Sequence, residues 1–476
     1  MVVVGGGPGG YEAALVAASL GARVTVVERD GMGGAAVLTD CVPSKALVAT
    51  GRELGRLVDG AKRLGVRGDP ATGRADDAPA PRAEHYVPRV DLGEANDRIM
   101  DLAGAQSRDI QAGLERAGVT VVRGHGRLLD GTTVQVQPTA DDGQPTGAEH
   151  RLEADMILLS TGARPRVMDS ARPDGERILT WQQVWTLRDV PPRLIVVGSG
   201  VTGAEFAQAY LNVGSDVVLV SSRDRVLPGE DPDAAEVIER VFRRQGMEVL
   251  NKSRAAAVER RGDEVVVRLE DGREVVGSHA LLAVGSVPQT QELGLEEAGV
   301  QTRPSGHIVV DRVSRTSVRG VYAAGDCTGV LPLASVAASQ GRIAVAHALG
   351  DAVTPLSTRG ISANIFTDPE IATVGVTQAE ADTQDARTVT MPLATNPRAK
   401  MDSISEGFVK LFARNGSNTV IGGVVVAPRA SELIFPIALA VQQQLTVDQV
   451  AGTITVYPSL SGTIAEASRR LHRLDA

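Results

Sequence analysis

Two glycine runs carry the clearest chemistry in the chain: GGGPGG at residues 5–10 and GSGVTG at residues 198–203. Both contain the pattern G-x-G-x-x-G. In such a turn the first glycine (Gly5, Gly198) makes a tight bend. The second (Gly7, Gly200) lets the backbone approach a pyrophosphate at the positive end of the following helix. The third (Gly10, Gly203) allows helix and strand to pack closely. One such pattern says little, but two in strand–turn–helix–strand settings point strongly to dinucleotide binding. The competing reading is a pair of glycine-rich turns in an unrelated α/β protein.

The residue closing the second strand of each unit reads the adenosine ribose. In the first unit it is Glu28, whose carboxylate accepts both ribose hydroxyl protons, which fits FAD or NAD and repels a 2′-phosphate. The same offset from Gly198 falls on Ser221, within the stretch SSRDR. The acid is missing, and Ser221, Ser222, Arg223 and Arg225 offer hydroxyls and guanidinium groups. Charge-assisted bonds of that kind suit a 2′-phosphate. The second site is therefore expected to take NADPH, with NADH tolerated; the alternative is that Arg223 only faces water.

These groups need scaffolds. Residues 2–28 and 195–221 each run from a short apolar strand through the turn and a helix-period stretch to a second β-branched strand, in one register. Between them, residues 68–83 (GDPATGRADDAPAPRA) read as a solvated insertion without fixed structure. Residues 94–118 have helical apolar spacing and stop at a glycine. Residues 137–150 read as a long turn between the strands TTVQVQP and HRLEADMILLS. From about residue 356 the pattern becomes mixed strands and helices.

The 476 residues suffice for about three domains. With 43% hydrophobic and 22% charged residues the chain has the composition of a soluble globular protein. A net charge of −9 argues against a nucleic-acid partner. No apolar run is long enough to span a membrane, and MVVVGGGPGG lacks the basic start of a signal peptide. Two cysteines, Cys41 and Cys327, are too few for a disulfide scaffold and fit a reducing cytoplasm, although a bridge between them is conceivable.

Taken together, GGGPGGYEAA, CVPSKAL, TGARP, GSGVTGAEFA, AVGSVP, YAAGDCTG and FTDPEIATVG make nearly the whole chain resemble the pyridine nucleotide–disulfide oxidoreductases, most closely the lipoamide-dehydrogenase-like members. The resemblance implies an α/β fold like that of glutathione reductase, with two Rossmann-like domains and a C-terminal α+β dimerisation domain. The expected divisions are a FAD-binding domain (1–165), an NAD(P)-binding domain (166–285), a central segment completing the FAD site (286–355) and a dimerisation domain (356–476), in a homodimer. It further implies that Asp326 binds the flavin ribityl chain and that Thr161 and Gly162 cross near FAD. Pro8, Gly34, Gly126 and Ala334 join the FAD site, and Gly285 the nicotinamide nucleotide site. Lys45 and Glu205 resemble the pair beside flavin N5. An ammonium there stabilises negative charge as the ring accepts hydride, and the carboxylate keeps it charged. Otherwise they are separate surface ions.

The pattern then fails in one coherent way. The family's relay uses two cysteines, one attacking substrate and one resolving the mixed disulfide. Here the attacking position is Ala36 and only Cys41 remains. The family's His-Pro motif, followed by a glutamate that orients the base, reads Tyr457-Pro458 with Gly462 at the glutamate position. A phenol of pKa ~10 is a poor base near neutrality. The nearest histidine in this tail, His472, lies outside the motif. Thiol, base and orienting acid are all absent, whereas both nucleotide sites remain.

Without a relay sulfur, the electron acceptor must reach the flavin ring itself, as flat quinones do. The chain also resembles the NAD(P)H quinone reductase branch of the family, which lacks the same cysteine and has Tyr-Pro for His-Pro. The resemblance implies ping-pong turnover from NADPH or NADH through FAD to a quinone. Tyr457, supplied by the partner subunit, either lines the acceptor site or merely packs. Alternatives are a peroxidase cycling Cys41 through sulfenic acid, transhydrogenase activity, and a non-catalytic flavoprotein redox sensor.

Overall fold

The structure, a computed structural model, describes residues 1–55, 57, 89–140 and 143–473. The insertion expected at 68–83 lies outside the described residues. The β-branched runs Val2–Val4 and Thr25–Glu28 form neighbouring parallel strands, as such side chains do in a sheet covered on both faces. They sit within a seven-stranded sheet ordered Val321–Ala323, Ile157–Leu159, Val2–Val4, Thr25–Glu28, Thr120–Leu128, Thr133–Pro138 and His150–Glu153. Its first five strands are parallel and the last two antiparallel. The stretch HRLEADMILLS is two strands, not one: His150–Glu153 lies at the sheet edge and Ile157–Leu159 beside Val2–Val4.

The second glycine unit builds a five-stranded parallel sheet ordered Glu248–Leu250, Asp216–Val220, Arg193–Val197, His279–Leu282 and Ile178–Thr180. A three-stranded antiparallel sheet, Ala255–Arg261, Glu264–Leu269 and Glu274–Gly277, packs beside it. Where the chain passes between the two layers, Ala163–Pro165 pairs with Ser286–Pro288. The C-terminal layer is a five-stranded antiparallel sheet running Ser362–Ile365, Glu370–Gly375, Val420–Ala427, Phe408–Arg414 and Ala386–Pro392.

Helix Leu92–Arg116 begins slightly before its apolar period because Asp91 caps it, accepting from Glu94 N at 2.9 Å. It ends ahead of Gly118, which has φ +79°. CVPSKAL opens helix Cys41–Gly55, with Pro43 in the first turn, where no intrahelical N–H is needed. Among the described residues no helix is long and apolar enough to cross a membrane.

One apolar core joins all three layers, with Leu47 and Ile99 from the first, Phe206 and Tyr210 from the second, and Phe408 and Phe412 from the third. An ionic clamp runs alongside. Lys410, on strand Phe408–Arg414, lies 2.8 Å from Asp231 Oδ2 and 2.7 Å from Asp233 Oδ2, and the Lys410 and Asp231 side chains are only 2% and 3% exposed. Asp231 also caps helix Pro232–Arg244. Removing one partner of a buried pair strands the other charge. Lys410→Met is therefore expected to cost about 3 kcal/mol, read as a lowered thermal midpoint; an unchanged midpoint would contradict a structural role for the clamp.

Candidate functional site

The two glycine turns are built alike. Gly5 (φ +104°) and Gly198 (φ +113°) occupy the left-handed region, and a Cβ on either would lie 2.2 Å from a carbonyl, that of Ser160 or Ala283. A Cβ on Gly10 or Gly203 would fall within 2 Å of the Gly5 or Gly198 carbonyl. By contrast, a Cβ on Gly7 or Gly200 meets nothing within 4 Å. Gly7 and Gly200 begin helices Pro8–Ser19 and Val201–Asn212 with no side-chain cap, so first-turn N–H groups stay open to an anion. Gly34 packs against the first turn, its Cβ position 3.0 Å from Gly7 Cα.

Glu28 ends its strand beside that turn. Its carboxylate accepts from the backbone N–H groups of Gly6, Asp30 (2.7 Å) and Gly31 (3.3 Å). A carboxylate has about four acceptor positions, so capacity remains for a ribose hydroxyl. Thr161 Oγ1 donates to Gln289 O at 2.6 Å, and Gln289 N donates to Gly162 O at 2.9 Å, which fixes the crossing. Gly285 (φ +94°) accepts from Arg166 N on the same ribbon. Asp326 opens a short 3₁₀ turn, and burial raises its carboxyl above the ordinary range. Ala334 is the exposed first residue of helix Ala334–Ala348. Gly126 lies in strand Thr120–Leu128 against the Val4 side chain.

At the second site one sequence-based assignment changes. Ser221 is fully buried; its hydroxyl lies 2.7 Å from Ser199 Oγ and accepts from Arg223 N at 3.1 Å. It braces the loop from inside and does not present its hydroxyl to a 2′-phosphate. The exposed groups there are Ser222, Arg223 and Asp224, with Arg225 half-buried.

Lys45, on helix Cys41–Gly55, meets Glu205, on helix Val201–Asn212. Lys45 Nζ and Glu205 Oε2 are 2.7 Å apart, and the Glu205 side chain is 3% exposed. The other Glu205 oxygen accepts from Phe366 N at 2.8 Å, while Lys45 Nζ stands 5.0 Å from the Phe366 ring centroid. Burial works against the Lys45 ammonium, but the charge and hydrogen bond of Glu205, together with Cys41 and Asp40, raise its pKa above the ordinary lysine value. The structure thus unites these two predicted residues and adds Phe366, whose contribution is a backbone N–H that no residue-type pattern reveals.

Cys41 is the first residue of its helix, and Ala36 lies in the short preceding helix Gly34–Leu38. Both cysteines are free, so the conceivable Cys41–Cys327 bridge is not made. Burial, reinforced by Asp40, pushes the Cys41 thiol up to about 12, so it is protonated near neutrality. Tyr457 is 82% exposed on this chain, in a stretch with Ile454 and Val456 also exposed, and it makes no bond to the Lys45–Glu205 pair. Gly462 begins helix Gly462–Arg473, and His472 pairs with Asp448 at 2.7 Å.

Two glycine turns without side-chain caps and the Lys45–Glu205 pair, its carboxylate buried, make up the candidate site. Residues 1–341 match the pyridine nucleotide-disulphide oxidoreductase family and residues 361–468 its dimerisation domain. The chain belongs to this family. It is 53% identical over 483 residues to an NAD(P)H dehydrogenase (quinone) of Mycobacterium tuberculosis, covering 99% of this chain and 93% of the relative. With dihydrolipoyl dehydrogenase 2 of Haloarcula marismortui it shares 33% identity over 98% of this chain and 95% of the relative. The solved structure of LpdA from M. tuberculosis superposes with a TM-score of 0.89 at 51% identity, covering 99% of both chains. The HOCl-induced flavoprotein disulfide reductase RclA of Escherichia coli, at 22% identity and TM-score 0.83 over 98% and 99% of the two chains, shares the fold. The protein is an oxidoreductase whose cofactors are FAD and NAD(P)H.

The residues present fit both groups. The open space at Gly7 with Glu28 and Asp326 would hold FAD, and the open space at Gly200 with Ser222 and Arg223 a nicotinamide nucleotide. Two outcomes follow. Arg223→Glu should reduce the NADPH-over-NADH ratio of kcat/KM at least about tenfold, the scale of one charge-assisted contact; an unchanged ratio contradicts the assignment. Glu205→Gln should move the alkaline limb of flavin reduction to lower pH, because the raised Lys45 pKa depends on that carboxylate and the ammonium is lost as pH rises. A limb that stays in place contradicts the pairing.

Proposed function

We propose that this protein is an FAD-dependent NAD(P)H:quinone oxidoreductase that prefers NADPH and passes electrons to the acceptor without a cysteine relay. The observation that carries the reading is a contrast within one site. The Lys45–Glu205–Phe366 junction is intact, whereas Ala36 stands where a second sulfur is needed and the Cys41 thiol is held protonated. The name of the M. tuberculosis relative agrees with it.

Bound FAD supplies a hydride acceptor for the nicotinamide and a two-electron donor for the quinone. The chain supplies position and charge. Uncapped helix ends at Gly7 and Gly200 bind the pyrophosphates, and Glu28 takes the adenosine ribose. Lys45 offers a fixed positive charge where negative charge develops, and Glu205 keeps it oriented. The dimerisation domain supports a homodimer, with the exposed Ile454–Tyr457 stretch facing a partner subunit and Tyr457 near that subunit's acceptor site. Two free cysteines suit a reducing cytoplasm.

A peroxidase cycling Cys41 is disfavoured, since such chemistry needs a thiolate. Cys41→Ser should retain at least half of the turnover with menadione-like quinones, and the unaltered enzyme should leave lipoamide and glutathione disulfide unreduced. Loss of quinone turnover in Cys41→Ser, or rapid disulfide reduction by the wild type, contradicts the proposal.

A further inference from the structure

A cavity of about 450 Å³, the size of a small-molecule site, lies where helix Cys41–Gly55 meets the C-terminal layer. Lys45, Val48 and Arg52 wall it from the helix, and Phe366, Glu370 and Arg429 from the layer. Spacings of three and four residues put the first three on one helix face, with Lys45 and Arg52 about 10 Å apart along the axis. No wall residue comes from either glycine turn or from the loop of Ser222 and Arg223. The cavity is therefore not part of either pyrophosphate site, although Lys45 borders it.

This wall combines apolar surface with an unmet hydrogen bond. Val48 and Phe366 are only partly covered. Glu370 is buried and well supplied: it accepts from Ser431 Oγ at 2.8 Å, from Ser431 N at 3.1 Å and from Arg52 Nη1 at 3.4 Å. That last contact occupies one corner of the Arg52 guanidinium. Arg52 Nε is buried yet has no hydrogen-bond partner among the described residues. A buried donor left without an acceptor is costly. The Nε side of a guanidinium is also an edge that grips a carboxylate through two parallel bonds. Among the other charges, Glu205 answers Lys45 from outside the wall. Arg429, exposed at φ +57°, and the exposed wall residue Glu432 make no ion pair among the described residues. The open demand in this cavity is thus for an anionic acceptor at Arg52.

We propose that the cavity is a binding site for a small aromatic carboxylate. The carboxylate takes the open edge of Arg52, with Arg429 as a second guanidinium, and the flat body lies against Val48 and Phe366 with its far end toward Lys45. Either half alone is a poorer fit. A bare inorganic anion leaves Val48 and Phe366 facing water, and an uncharged ring leaves Arg52 Nε without an ionic partner. The site does not depend on the identity of the electron acceptor.

The test is calorimetric titration of the FAD-loaded enzyme with 1-naphthoate. Binding should saturate, and its affinity should be the same with and without saturating NADP⁺. The amide 1-naphthamide should bind at least about tenfold more weakly, since it lacks the charge that strengthens the Arg52 bonds. Arg52→Met should weaken naphthoate binding to the same degree. Because Arg52 also holds Glu370, Arg429→Met serves as a second variant, expected to weaken binding about threefold, the scale of an exposed ion pair. The proposal is overturned by absence of saturable binding, by equal binding of the amide or of sulfate, or by binding that both variants leave unchanged. Displacement of naphthoate by NADP⁺ also overturns it, because the ligand would then occupy the nucleotide site.

Discussion

The Glu205 carboxylate is the point on which the molecule turns. A buried carboxylate must be paired or it neutralises, and this one is paired twice, with Lys45 Nζ from the first layer and Phe366 N from the third, while its own helix belongs to the second. One turn along that helix, Gln208 repeats the arrangement, donating to Asp368 O at 2.8 Å and accepting from Asp368 N at 2.6 Å. Any shift of the second layer against its neighbours would strand a buried charge. The apolar core that runs through Leu47, Phe206 and Phe412, and the Lys410–Asp231 clamp, hold the same three layers together. The relative placement of two nucleotide turns drawn from distant parts of the sequence follows from that junction.

The chemistry is defined as much by what this junction lacks as by what it holds. A fixed ammonium beside a flavin edge serves hydride transfer whatever the final acceptor. A dithiol relay needs a second sulfur and a base of suitable pKa, and here Ala36, the exposed Tyr457 and Gly462 occupy those positions. The remaining thiol is half-buried, and desolvation, reinforced by Asp40, disfavours its ionised form. On the proposed function, the acceptor then meets the flavin directly.

Much of this was legible from residue spacing. The glycine turns, their strands and the identity of Glu28 follow from local rules, because a tight bend and a close helix–strand approach leave no other residue type there. Ser221 was misread because an offset locates the end of a strand but not the side to which its side chain points. The strand before it, Asp216–Val220, is buried from Val217 onward, and Ser221 continues inward. CVPSKAL forms a helix because Pro43 falls in a first turn that tolerates it. Phe366 had no local signal. It acts through a backbone N–H. Lys410, one lysine in a strand, gave no hint of the two aspartates it meets.

The central claim, that electrons leave this protein without passing through sulfur, is tested most directly by counting them. Anaerobic titration of the FAD-loaded enzyme with a chemical reductant, followed by flavin absorbance, should end after two electrons per chain, the flavin bleaching in proportion from the first addition. An endpoint of four electrons per chain, with the first two leaving the flavin largely oxidised, would reveal a second redox couple and contradict the account.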